Sequence, residues 1–216
     1  MKSYWIYFIK QGLIESNLQG KYIGTTDEPL SSDGITMLEK MRDTYVYPPV
    51  DECFTSPLSR CTETLEILYP DADYTVVPEL AECDFGDFEG MTHEQLKDNK
   101  EYLDWVNSTT PESAPPCGES NVQFVTRVCS AFNSIVKYMM SNGISEAAVC
   151  THGGVIATIL ATYGLPQLPM SEWTCVNGKG FAVKITPSVW MREGMFEVAG
   201  LFPLEKSEQE FESEQE

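Results

Sequence analysis

Apolar residues recur along this chain with two different periods, and the switches between them outline its elements. Residues 4–9 form an unbroken apolar and aromatic run, the pattern of a strand buried on both faces. Residues 12–30 lose that pattern and carry Gly12, Gly20 and Gly24, so they read as a long loop. Over residues 31–45 the spacing becomes helical, with Leu38, Met41 and Tyr45 on one face. A second strand covers residues 50–55. Ser56 then reads as a helix cap with Pro57 at the first helical position, and Leu58, Cys61, Leu65 and Leu68 follow at helical spacing. A third strand is expected over residues 74–77. Thr92 and Gln95 form a capping box that opens a short helix, and residues 111–118 are a proline-rich loop. Ser120 opens the longest helix, whose stripe is Val125, Val128, Phe132, Ile135 and Met139. Residues 147–151 read as a strand and 155–163 as an apolar helix. Residues 180–185 and 195–201 read as a closing antiparallel pair.

Strands that alternate with helices imply an α/β fold, here a three-layer α/β/α sandwich on a mostly parallel, doubly wound sheet. The 216 residues suit one such domain, expected over residues 1–203. Residues 204–216 read as an acidic, flexible C-terminal tail, because they are rich in glutamate and poor in apolar side chains.

Charge narrows the partners. The formal net charge of −19 repels nucleic acid and anionic membrane surfaces, so neither is expected as a partner. A pocket for a phosphorylated molecule in this chain must supply its own local positive charge. The cysteines number seven, with no C-x-x-C pair. Only two histidines are present. That composition predicts free thiols in a cytoplasmic protein, with no metal site and no cofactor. The first apolar run is too short for a signal peptide or a membrane span.

In a parallel sheet the ligand crevice lies beyond the C-terminal ends of the strands. Four loops carry polar groups there. They hold Lys10, Gln11 and Asn17; the run Ser56-Pro57-Leu58-Ser59-Arg60; Glu82 with the segment through Gly90; and Thr151-His152-Gly153-Gly154. Arg60 can fork two oxygens of a phosphate, and Lys10 adds a second positive charge. His152, Gly153 and Gly154 open a helix, whose N–H groups and dipole favour an anion. Glu82 has no cation beside it in sequence and is a candidate proton donor. Together these groups describe a phosphoester pocket.

These motifs resemble the histidine phosphatase superfamily, the phosphoglycerate mutase-like proteins. The matching segments, all in family order, are Gly20-Lys21, the run from Asp27 to Gly34, Ser56 to Arg60, Glu82 to Gly90, Gly118-Glu119-Ser120, and His152-Gly153-Gly154. They span roughly residues 4–200. The stretch from Lys21 to Leu30 and that from Phe85 to Gly90 look most like α-ribazole phosphatases. The resemblance implies a covalent mechanism, in which a histidine of the first motif takes the phosphoryl group and a glutamate protonates the leaving oxygen. Position by position it makes Glu82 the acid and His152 a catalytic group that stabilises the charged transition state, with Lys10, Gln11, Asn17, Arg60, His152 and Gly153 as phosphate contacts.

At the nucleophile position stands Gln11. A glutamine amide donates hydrogen bonds, but its nitrogen lone pair is delocalised and cannot attack phosphorus. Lys10 replaces the family arginine, and Ile14 replaces a threonine. The expected activity is therefore binding of a phosphorylated small molecule or inorganic phosphate, with hydrolysis absent or severely weakened. Two alternatives stand beside it: an active phosphomonoesterase of the α-ribazole type using a non-family route, and an interaction protein that keeps only the fold. His93 is expected on an exposed turn. Cys61 and Cys150 are expected in the core, and Glu89 is read either as the family's second glutamate or as an exposed loop carboxylate.

Overall fold

The structure, a computed structural model, describes residues 3–205. Its seven-stranded sheet has the order β4-β3-β5-β1-β7-β8-β6. The strands are Tyr4–Lys10 (β1), Glu52–Thr55 (β3), Tyr74–Val76 (β4), Glu146–Thr151 (β5), Gly164–Leu165 (β6), Gly180–Ile185 (β7) and Phe196–Phe202 (β8). A separate two-stranded pair joins Tyr45–Val46 (β2) to Leu204–Glu205 (β9). In the large sheet β7 alone runs against the others. The sheet is thus mostly parallel, and the expected closing antiparallel pair is β7 with β8.

The helices are Glu15–Leu18 (α1), Ser32–Thr44 (α2), Ser59–Leu68 (α3), His93–Leu96 (α4), Lys100–Val106 (α5), Asn121–Asn142 (α6), Gly153–Tyr163 (α7) and Pro187–Glu193 (α8). On one sheet face Ile6 and Phe8 of β1 pack with Val128 and Phe132 of α6 and Val155 and Ile159 of α7. On the other face Ile9 packs with Leu38 of α2 and Cys61, Leu65 and Leu68 of α3. Two helical layers sandwich the sheet, as the alternating pattern requires.

Several expectations need correction. Ser56 does not cap α3. The helix starts three residues later, at Ser59, whose N–H and hydroxyl both donate to Asp27 Oδ1. The loop after β1 contains α1, and α5 and α8 fall where no helix was expected. On α6 the inward residue is Phe124, 7% exposed, and Val125 faces out at 38%. Tyr45 leaves the helical face to start β2. The segment from residue 204 opens with a strand pairing, Val46 to Leu204 and Tyr45 to Glu205. The remainder of the expected tail, residues 206–216, lies outside the described residues. No helix among the described residues is long and apolar enough to cross a membrane.

Candidate functional site

Strand register builds the site. Lys10 pairs with Thr151 across β1 and β5, and Thr55 pairs with Cys150 across β3 and β5. The next residue on each strand is Gln11, His152 and Ser56, so these three emerge side by side at one edge. Backbone bonds continue the ladder there: Gln11 N–H donates to Thr151 O at 2.9 Å and Ser56 N–H to Cys150 O at 3.0 Å.

Arg60 is 1% exposed. Its Nη1 donates to Thr26 O at 2.8 Å and its Nη2 to Gly24 O at 2.7 Å. No carboxylate among the described residues is ion-paired with it, and its Nε has no hydrogen-bond partner. A buried guanidinium that lacks both a counter-charge and a partner for one donor is costly unless an anion completes it. Gln11, also buried, has an unpartnered Oε1. Thr64 links the two segments: its Oγ1 accepts from Gly12 N–H at 2.9 Å and donates to Arg60 O at 2.5 Å. Asn177 Nδ2 donates to Gln11 O at 2.9 Å and Gly12 O at 3.2 Å, holding the turn after β1.

Lys10 joins this group from β1. Its Nζ donates to Cys175 O at 3.2 Å, and its chain runs beside Gly153 at the start of α7. His152 is 1% exposed, and its Nε2 lies 2.7 Å from Ser56 Oγ. The hydroxyl expected to cap a helix is therefore engaged with the imidazole. Cys61 Sγ lies 3.6 Å from the same Nε2. Cys61 and Cys150 are both fully buried in the core, as expected. Burial alone would raise the Cys61 thiol, but the hydrogen bond with Cys150 and the adjacent His152 and Arg60 outweigh it and hold Cys61 below an ordinary thiol. Burial pushes its neighbour Cys150 well above one.

Glu82 reaches the same edge by a different route than its sequence suggests. Its Oε2 accepts from Gly154 N–H at 3.0 Å and its Oε1 from Cys83 N–H at 3.0 Å. The N-terminus of α7, expected to offer this N–H to a ligand, gives it to the protein's own carboxylate. Gly154 is required for this approach, since a Cβ there would meet Glu82 Oε1 at 2.5 Å. Arg127 fixes the segment that carries Glu82. It donates from Nε and Nη2 to Glu119 at 2.8 Å each, from Nη1 to Glu79 O and Ala81 O at 2.8 and 2.7 Å, and from Nη2 to Glu82 O at 2.9 Å. All five of its donors are used.

Lys10, Gln11, Arg60, Glu82, His152 and Gly153 thus gather at the C-terminal edge of the sheet. Asn17 does not join them through any hydrogen bond. It is exposed on α1, and its Oδ1 accepts from Ile14 N–H at 3.4 Å. His93 lies on an exposed turn as expected, though its Nδ1 meets Tyr102 OH at 2.7 Å. Among the described residues no group of three or more His, Cys, Asp and Glu side chains could hold a metal ion. Sequence reasoning missed Thr64, Arg127 and Asn177. Arg127 had a usable signal, because it lies on the helix that Ser120 opens, eight residues after Glu119.

A buried cation, a second cation, an imidazole and a carboxylate therefore meet at the C-terminal end of a mostly parallel sheet. The chain belongs to the histidine phosphatase superfamily (branch 1), whose family pattern matches residues 6–192. It is 26% identical over 160 residues to an adenosylcobalamin/α-ribazole phosphatase of Salmonella typhimurium, covering 72% of this chain and 77% of that one. It is 27% identical over 163 residues to a 2,3-bisphosphoglycerate-dependent phosphoglycerate mutase of Gloeobacter violaceus, covering 72% and 73%. The fold matches the crystal structure of the α-ribazole phosphatase from Shigella flexneri with a TM-score of 0.77 at 23% identity, over 91% of this chain and 95% of that one. It matches phosphoglycerate mutase from Bacillus anthracis with a TM-score of 0.75 at 18% identity, over 92% of each chain.

Proposed function

We propose that this protein binds the phosphoryl group of a phosphorylated small molecule, or inorganic phosphate, and is inactive or severely weakened as a phosphohydrolase. The observation that carries the binding half is Arg60, buried with no carboxylate partner and with its Nε–H unpartnered. A protein that kept only the fold would gain nothing from holding such a charge out of water. Phosphate oxygens would supply both the missing charge and the missing acceptor. Lys10 and His152 would contact the same group.

The weakness of turnover follows from Gln11, which stands where the family resemblance places the nucleophilic histidine. Its amide nitrogen has no free lone pair with which to attack phosphorus, so the covalent phosphoryl-histidine step of the family is lost. Glu82 could still protonate a leaving oxygen, but the step it would assist has lost its nucleophile. The resemblance to proteins named α-ribazole phosphatase and phosphoglycerate mutase supports a phosphomonoester as the class of ligand. The loops around residues 12–30 and 102–120 would select among such esters.

Isothermal titration with inorganic phosphate tests the binding half. The expected result is saturable one-to-one binding, weakened about tenfold or more in Arg60→Lys, which keeps the charge but loses the planar fork. Absence of saturable binding to the native protein would overturn the reading.

A further inference from the structure

Glu89 has no place in the chemistry above, yet its carboxylate is among the most heavily engaged in the molecule. Its Oε1 accepts from Gly24 N–H at 2.9 Å, Thr25 N–H at 3.1 Å and Phe85 N–H at 3.1 Å. Its Oε2 accepts from Gly24 N–H at 3.1 Å, Thr26 N–H at 3.4 Å and the Thr26 hydroxyl at 2.6 Å. The opposite side of the same short loop holds Arg60, through Gly24 O at 2.7 Å and Thr26 O at 2.8 Å.

One peptide group serves both charges. The carbonyl of the Gly24–Thr25 peptide accepts from the Arg60 guanidinium, and its N–H donates to the Glu89 carboxylate. A peptide group is planar and rigid, so its two ends cannot move independently. Its dipole points the negative end at the cation and the positive end at the anion, which favours both. Gly24 also sits tightly against the Cys83 backbone, since a Cβ there would meet Cys83 O at 1.7 Å.

We infer that Glu89 is a positioning residue for Arg60: through the Gly24–Thr25 peptide it fixes the guanidinium so that Nε–H is left for the bound anion. The inference rests on the phosphate reading above and adds to it the group that orients its main cation. Glu89 needs no contact with the ligand to do this.

The test is a double-mutant cycle on inorganic phosphate affinity, using native protein, Glu89→Gln, Arg60→Lys and the double variant. Glu89→Gln keeps size and one oxygen but sets an NH2 group against the Thr26 donors. In the native background it should weaken phosphate about tenfold. In the Arg60→Lys background, where no fork remains to be oriented, it should change affinity by less than about twofold. Equal losses in both backgrounds, or no loss in either, would overturn the positioning role.

A second readout needs no phosphate. The chain has four arginines, and the Arg60 Nε–H should give a dispersed, slowly exchanging NMR signal that collapses toward those of exposed arginines in Glu89→Gln. An unchanged signal would also overturn the inference. Failure of the native protein to bind phosphate would sink the phosphate reading alone, and the Nε–H signal would still decide the role of Glu89.

Discussion

Ser56 Oγ and His152 Nε2 meet at 2.7 Å, and both side chains are buried. A hydroxyl just past the end of β3 thereby orients the imidazole just past the end of β5. Ser56→Ala would leave a buried ring nitrogen without this partner, which costs about 1–3 kcal/mol. Urea unfolding should show that loss. The effect is local and spectroscopically clean, because His93 is the only other histidine. The His152 ring nitrogens should shift in NMR while those of His93 stay fixed. Unmoved His152 signals would contradict the contact.

Arg127 acts on the other acidic arm of the site. With its five donors divided between Glu119 and three carbonyls, Arg127→Ala is expected to destabilise the protein by about 2–3 kcal/mol. Arg127→Lys should recover little, since one ammonium cannot span a carboxylate and three carbonyls together. Thermal or urea unfolding of both variants checks this. Full recovery by lysine would show that charge alone matters there.

Much of the fold was legible because its signals are local. Ser120 caps α6 through its own Gln123, and Thr92 caps α4 through Gln95. In both cases cap and partner lie within one turn, where a sequence pattern can show them. Ser56 looked equally like a cap, but its hydroxyl is claimed by His152, distant in sequence. The start of α3 is satisfied instead by Asp27 from a loop. The same limit applies to the site. Residues at strand ends could be listed from the sheet pattern alone, whereas Thr64, Asn177 and the Glu89 clamp act through backbone groups that carry no sequence signature. Helix α5 was missed although Asn99 accepts from Tyr102 N–H as a regular cap, because its seven residues make barely two turns, too short a stretch to set a period.

The thiols give a further check on the packing. All seven cysteines are free, Cys117 is exposed, and Cys53, Cys61 and Cys150 are buried. The charge of Asp87 raises the Cys117 thiol above its ordinary value. A raised pKa means less thiolate at pH 8, so iodoacetamide should modify Cys117 first yet more slowly than a free thiol, with the rate still climbing above pH 9. Asp87→Asn should speed the reaction at pH 8. Cys53, Cys61 and Cys150 should react only on unfolding. Early modification of Cys61 would contradict its place in the core.

The proposed loss of the covalent step at Gln11 is tested by hydrolysis of an aryl phosphate by the native protein and by the double variant Lys10→Arg/Gln11→His. The native protein should release no phenol above the buffer rate, and the double variant should turn over and carry an acid-labile phosphoryl group at position 11. Native turnover as fast as that of the double variant would contradict the account.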